Sequence, residues 1–125
     1  MTVLDTSVLI DSLSGPRRSS RALRSAIEQG ERIVIPALVL YEWLRGPRLA
    51  SEIAAQEALF PFESAVAFGP REASLSAELY RSVKRPRGRE IDLAIAACAI
   101  IRDASLWTLN TPDFRDIPEL RLAAF

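Results

Sequence analysis

The sequence predicts an α/β domain with a mainly parallel central sheet flanked by helices, and three observations support this. Short apolar runs with β-branched residues, typical of buried strands, recur along the chain. Longer segments with apolar residues at helical spacing lie between them. The two patterns alternate, as they do in successive β–α units of a parallel sheet. At 125 residues the chain has the length of one domain, so we expect a single domain over residues 1–125.

Each predicted strand is a short apolar run that ends at a polar residue or at a breaker. The run 2–4 ends at Asp5, and the run 33–35 ends at Pro36, which cannot donate to a strand ladder. Further strands are predicted at 65–68, at 106–109 and, as an edge strand, at 122–125. Helical spacing predicts helices over residues 7–12, 19–29, 37–44, 49–59, 72–83 and 90–102.

The composition excludes several classes of protein. Apolar residues make up 49% of the chain, which is too many for a disordered one. The Lys+Arg and Asp+Glu counts are both 16, so any grip on nucleic acid must come from a local basic patch. The chain contains no His. Ser-His-Asp and Cys-His chemistry are therefore excluded, and carboxylates are the main catalytic candidates.

The cellular environment is predicted from the single cysteine and from the hydropathy of the chain. Cys98 has no partner for an intrachain disulfide and lies in an apolar stretch, so we expect it to be buried in a reducing compartment. The N-terminus has no basic region or cleavage site of a signal peptide, and no uncharged apolar run reaches membrane length. We therefore expect a cytoplasmic protein.

Three acids interrupt the most apolar segments of the chain. Asp5 follows the first strand, Glu42 lies within the third helix, and Asp92 lies at the start of the last helix. An unpaired carboxylate there costs several kcal/mol unless it is paired, protonated or bound to metal. We expect four other acids to lie on exposed, polar helix faces: Glu28, Glu52, Glu57 and Glu78.

The topology predicts that these acids meet. In a parallel sheet, strand C-termini and the following helix N-termini share one edge, where ligands bind. Asp5, Asp92 and Asp113, which follows the strand 106–109, should reach that edge, and Glu42 should approach from its helix. Because clustered carboxylates repel one another, a hard divalent cation with all-oxygen coordination would resolve the repulsion.

Each acid also has an ordinary structural explanation when it is considered alone. Asp5 is placed to cap a helix N-terminus. Glu42 has Arg45 three residues later as a partner for an ion pair. Asp92 lies in a first helical turn, where negative charge is favourable, and Asp113 has the setting of a turn residue. The metal site is predicted by the four acids as a set.

Four stretches together resemble the PIN-domain nucleases, and most closely the VapC-type toxins of bacterial toxin–antitoxin pairs. Residues 4–7 (LDTS) are similar to the family's opening Asp-x-Ser/Thr after the first strand. Glu42 with Gly46 resembles its Glu-x-x-x-Gly helix, and residues 92–97 (DLAIAA) resemble its Asp-x-x-Ile-Ala-Ala. Residues 108–114 (TLNTPDF) match Thr-x-Asn-x-x-Asp-Phe. The resemblance implies a PIN-like fold.

The resemblance also implies an activity, which is Mg²⁺- or Mn²⁺-dependent endonucleolytic cleavage of RNA. Asp5, Asp92 and Asp113 would hold the metal, with Glu42 bound directly or through water. The metal would lower the pKa of a bound water, which would attack the phosphodiester. No His is required.

Supporting residues and partners follow from the same resemblance. Ser7 and Asn110 would orient carboxylates or substrate. In the basic loop before the last helix, Arg85, Arg87 and Arg89 are candidates for contacts with RNA phosphates, although a solvated loop explains them as well. Similar toxins are homodimers inhibited by a cognate antitoxin, so exposed apolar residues of the helices 49–59 and 72–83 are candidate contact surfaces.

Two other readings stay open at this stage. A PIN-like binding module that has lost catalysis would lack one of the acids, and none is missing here. A phosphoryl-transfer enzyme with Asp5 as nucleophile usually has a second Asp two residues later, where this chain has Ser7. The nuclease is therefore the favoured hypothesis.

Overall fold

A three-stranded parallel sheet forms the centre of the molecule. The structure, a computed structural model, describes residues 1–125. The strands are β1 (Thr2–Leu4), β2 (Ile33–Val34) and β3 (Ser105–Trp107), in the order β2-β1-β3. Strand β1 is paired on both sides and is completely buried, which explains why it is apolar at successive positions instead of alternating. The predicted parallel α/β fold is confirmed.

Six α-helices surround the sheet, and all six were predicted from the sequence to within two residues at each end. They are α1 (Thr6–Leu13), α2 (Ser20–Glu28), α3 (Ala37–Arg45), α4 (Ala50–Leu59), α5 (Pro70–Ser82) and α6 (Glu90–Ile101). Two short 3-10 turns lie at Phe62–Ser64 and Thr111–Asp113. None of the helices combines the length and the apolar character needed to cross a membrane.

Helix α6 is the centre of the hydrophobic core. Every residue from Leu93 to Ala99 is buried, including Cys98, as predicted. Burial raises the pKa of the Cys98 thiol to about 11, so it stays protonated and inert at neutral pH. Trp43 and Trp107 are also core residues, 0% and 5% exposed. A helix that is apolar on all sides must be surrounded by other elements, and α5, α3 and the sheet surround this one.

The predictions of two outer strands were wrong. Residues 65–68 and 122–125 each contribute only one isolated bridge, Pro36 with Val66 and Leu106 with Leu122. The pairing of Val66 cannot extend, because the segment opposite it enters helix α3 directly after Pro36. The second is confined to the two hydrogen bonds that the backbone of Leu106 makes with Arg121 and Ala123.

One strand boundary and the exposure of one acid also differ from the predictions, for identifiable reasons. Strand β3 ends at Trp107, before Leu109, because the backbone N–H of Leu109 donates to the Ser7 hydroxyl (3.0 Å) outside the ladder. Glu52 was predicted on an exposed helix face, but it is only 6% exposed. Its carboxylate accepts a hydrogen bond from the backbone N–H of Leu49 (2.8 Å) at the start of α4, which holds it against the protein.

Candidate active site

The four predicted acids lie on elements that meet at the C-terminal edge of the sheet. Asp5 directly follows β1, and its backbone N–H donates to the carbonyl of Trp107 at the end of β3 (2.9 Å). Asp113 lies in the 3-10 turn after β3. Asp92 lies in the first turn of α6, and Glu42 lies on α3, which follows β2. The topology therefore brings the four positions to one side of the molecule.

Their charges act on one another, and Asp92 shows this most clearly. Burial raises the pKa of Asp92 to about 6, and the negative charges of Asp5, Glu42 and Asp113 contribute to the rise. Arg89 opposes it. The four carboxylates thus share one electrostatic environment, in which the charged form of Asp92 is disfavoured.

The carboxylates do not form a closed coordination sphere. In the side-chain conformations of the structure, no three Asp, Glu or Cys side chains are close enough to hold one metal ion. The donor set itself, four carboxylates without nitrogen or sulfur, suits a hard divalent cation such as Mg²⁺ or Mn²⁺. Such a cation would have to draw the carboxylates closer together than they are here.

Asp5 is held by two hydroxyl groups. It is buried, and its Oδ2 accepts hydrogen bonds from Ser7 Oγ (2.8 Å) and from Thr108 Oγ1 (2.7 Å). It occupies the N-cap position of α1, but its side chain makes no capping hydrogen bond. The hydroxyl donors therefore orient this carboxylate, and the helix end does not.

Glu42 has one strong and one weak partner. Thr6 Oγ1 donates to Glu42 Oε1 at 2.6 Å. The ion pair with Arg45 that the spacing suggested is present, but its N–O distance is 3.4 Å and the Arg45 side chain is 57% exposed. A pair of this kind contributes little to stability. Thr6 therefore positions Glu42, and Arg45 does not neutralise it strongly.

The other acids have no basic partner for their carboxylates. Asp5, Asp92 and Asp113 take part in no ion pair. The Asp92 side chain makes no hydrogen bond, and Asp113 is exposed. Ordinary ion pairing therefore does not account for these acids.

Two hydroxyl residues were missed by the sequence analysis, Thr6 and Thr108. Thr108 follows Trp107, which pairs with Leu4, so the register places Thr108 beside Asp5 once the parallel pairing is known. Thr6 is 36 residues from Glu42, and no local pattern announces that contact. Ser7 contacts Asp5 as described. Asn110 contributes only its backbone: its N–H donates to Thr108 Oγ1 (3.0 Å), and its carbonyl accepts from the N–H of Asp113 (2.9 Å).

The three arginines proposed for RNA contacts differ in their surroundings. Arg85 and Arg87 are exposed and form no ion pair. Arg89, at the N-cap of α6, is engaged: its guanidinium makes two hydrogen bonds to the Asp116 carboxylate and one to the backbone carbonyl of Asp113. Only Arg85 and Arg87 are thus free to meet a ligand.

The chain belongs to the PIN-domain family, whose model matches residues 2–120. Among its relatives is Ribonuclease VapC19 of Mycobacterium tuberculosis, which is 37% identical to it. That alignment covers 97% of this chain and 98% of the relative. The family resemblance stated from the four sequence motifs is therefore confirmed.

Solved structures agree with the fold. The toxin–antitoxin complex from Klebsiella pneumoniae contains a chain with a TM-score of 0.73 and 26% identity, covering 96% of this chain and 95% of that one. The DNA-bound VapBC of Salmonella typhimurium gives a TM-score of 0.74 at 23% identity, covering 98% and 96%. The PIN-like architecture is thus shared with chains found in toxin–antitoxin complexes.

We predict that Asp92→Asn makes the metal-free protein more stable at neutral pH. The pKa of Asp92 is about 6 in the folded chain and 3.8 for an unperturbed Asp, so the folded state binds its proton more tightly. The contribution of this carboxyl group to the free energy of unfolding is therefore fully present below about pH 4, and it is lost as the pH rises through about 6. Asn does not ionise and escapes this loss.

The measurement is urea unfolding in EDTA at about pH 4.5 and about pH 7. The free-energy difference between Asp92→Asn and wild type should be larger at the higher pH. Glu78→Gln, on the exposed face of α5, is the matched control and should show no such change. An equal difference at both pH values would mean that Asp92 is not held in a repulsive environment.

Proposed function

We propose that this protein is a divalent-metal-dependent endoribonuclease toxin of the VapC type, with Asp5, Glu42, Asp92 and Asp113 as the metal-binding residues. The observation that carries the proposal is the convergence of the four carboxylates at one sheet edge, three of them without a basic partner. Membership of the PIN-domain family and 37% identity to a protein named a ribonuclease support it.

The chain supplies positioned oxygen ligands for Mg²⁺ or Mn²⁺. When bound, such a cation supplies Lewis acidity that activates water and stabilises negative charge on the leaving 3′ oxygen of RNA. Hydrogen bonds from Ser7 and Thr108 orient Asp5, and a hydrogen bond from Thr6 orients Glu42. These two carboxylates are therefore oriented before a cation binds. The absence of His is consistent with this chemistry, because no side-chain base of that kind is required.

RNA binding is proposed for the free arginines of the basic loop. Arg85 and Arg87 precede α6 by a few residues and so lie near the helix start that carries Asp92. Guanidinium groups without intramolecular partners are available to bind phosphates. Arg89 contributes less to this contact than the other two, because Asp116 already neutralises it.

An antitoxin is the proposed protein partner, and a groove between α2 and α4 is its proposed docking site. The groove has a volume of about 600 Å³, and its apolar lining residues include Leu23, Ile27 and Leu59. Its charged lining residues are Arg17, Arg24 and Glu28, so the groove has an excess of positive charge, which favours a partner with acidic side chains. Helix α4 is one of the two helices predicted to provide contacts. By the same resemblance we propose a homodimer, whose mass in light scattering would be twice 13.8 kDa.

We expect Asp92 to be essential for RNA cleavage. Asp92→Asn should reduce Mn²⁺-dependent cleavage of RNA by more than about 100-fold, because it removes a negatively charged metal ligand. The measurement is gel analysis of a labelled RNA mixture, with EDTA to abolish the wild-type activity. Asp103→Asn, which removes an exposed carboxylate, is the control and should cleave normally. Equal cleavage by Asp92→Asn and wild type would remove Asp92 from the mechanism.

We expect metal binding to stabilise the folded chain. A cation that binds only the folded state stabilises it by about 2.7 kcal/mol at a hundredfold excess over its Kd. For a chain of this size, Mn²⁺ should therefore raise the Tm by roughly 10 °C. The increase should be much smaller in Asp92→Asn. A Tm of the wild type that does not respond to Mg²⁺ or Mn²⁺ would contradict the proposed site.

We expect the chain to be toxic to cells and an antitoxin to neutralise it. Induced expression should slow bacterial growth, and co-expression of the protein encoded by the adjacent upstream reading frame should restore it. Ile27→Asp, in the groove, should prevent that rescue, whereas Ile53→Asp, exposed on α4 outside the groove, should not. Growth unaffected by the wild-type protein would favour the inactive binding module.

A further inference from the structure

Arg89 joins the two segments that carry Asp92 and Asp113. It is the N-cap residue of α6, and its backbone carbonyl accepts from the N–H of Leu93 in the first turn of that helix (2.9 Å). Its Nη2 donates to the backbone carbonyl of Asp113 (2.9 Å), in the 3-10 turn after β3. One residue is thus bonded to both segments.

Asp116 holds the Arg89 side chain in that position. Arg89 Nη2 and Nη1 donate to its two carboxylate oxygens at 2.6 and 3.0 Å, a two-pronged geometry that only a guanidinium allows. The Arg89 side chain is 19% exposed. The pair raises the pKa of Arg89 and lowers that of Asp116, so both stay charged near neutral pH.

Few other contacts hold Asp113 in its turn. It is a 3-10 turn of three residues, and Asp113 is exposed with no hydrogen bond to its side chain. Within the turn, the Asp113 N–H donates to Asn110, and the next residue, Phe114, is anchored in the core. The bond to Arg89 is the contact that ties the Asp113 backbone to α6.

We propose that Arg89 is a positioning residue, which fixes the turn of Asp113 against the N-terminus of α6 and thereby sets the separation of Asp92 and Asp113 for a divalent cation. This inference rests on the proposed metal site. This role differs from the contact with RNA phosphates that the sequence suggested for Arg89. Asp116 belongs to the same arrangement, because it orients the guanidinium and balances its charge.

Positioning and simple electrostatics make opposite predictions for one variant. A positive charge beside a cation site opposes cation binding, so its removal in Arg89→Gln should tighten binding if only charge matters. If Arg89 positions the turn, Arg89→Gln should weaken binding despite the loss of the charge. Arg89→Lys keeps the charge but cannot make the fork, so positioning predicts weaker binding here as well.

The experiment measures the Kd of Mn²⁺ by calorimetry on the full chain, without RNA. We expect Arg89→Lys and Arg89→Gln each to raise the Kd about tenfold, the usual scale for residues behind metal ligands. Cleavage by Arg89→Lys should recover at saturating Mn²⁺, since the chemistry itself is intact. Arg121→Lys is the matched control. Arg121 also donates to a carboxylate and a backbone carbonyl, both of Asp103, at 2.9 and 2.7 Å, but it lies beside the start of β3 and so away from the acids.

The outcomes separate this inference from the proposed function. A wild-type chain that does not bind Mn²⁺ would overturn the metal site itself. Wild-type binding with an unchanged Kd in Arg89→Lys, or a lower Kd in Arg89→Gln, would overturn only the positioning role. Circular dichroism in EDTA verifies the fold of each variant, and Arg89→Lys alone decides the question if Arg89→Gln does not fold.

Discussion

The repulsion among carboxylates at the C-terminal edge of the sheet is the constraint on which the rest of this structure depends. Asp5 follows a strand that is paired on both sides and buried, so its carboxylate has little access to solvent. No cation of the protein compensates it; the hydroxyls of Ser7 and Thr108 do so by hydrogen bonding. A negative charge in such a place costs stability, and proteins keep such arrangements where function requires them.

Helix α6 brings the second charge to the same edge. Its apolar circumference forces it into the core, so only its two ends reach the surface, and Asp92 lies in the first turn. A helix N-terminus favours negative charge, but burial and three neighbouring carboxylates outweigh that effect and raise the Asp92 pKa. The nearest arginine, Arg89, is bonded to Asp116 and not to Asp92, which leaves the acid available for a ligand.

The apolar core explains why the same fold occurs in chains of low sequence identity. Chains of 23% and 26% identity share it over almost their full lengths. A parallel sheet needs apolar strands and an apolar central helix, which many sequences satisfy. The basic loop and the groove between α2 and α4 lie outside that requirement. These surfaces are therefore free to differ between chains that share the fold.

The sequence by itself determined the six helices, the three paired strands and the elements that carry the four acids, because periodicity and breakers are local properties of a chain. The tertiary structure decided which groups the acids contact. Thr108 and Asp5 are 103 residues apart, and no local pattern encodes their hydrogen bond. The tertiary structure also limited two predicted strands to single bridges, buried Glu52 at the start of a helix and paired Arg89 with Asp116. Each of these outcomes depends on residues distant in sequence or on a competing hydrogen bond.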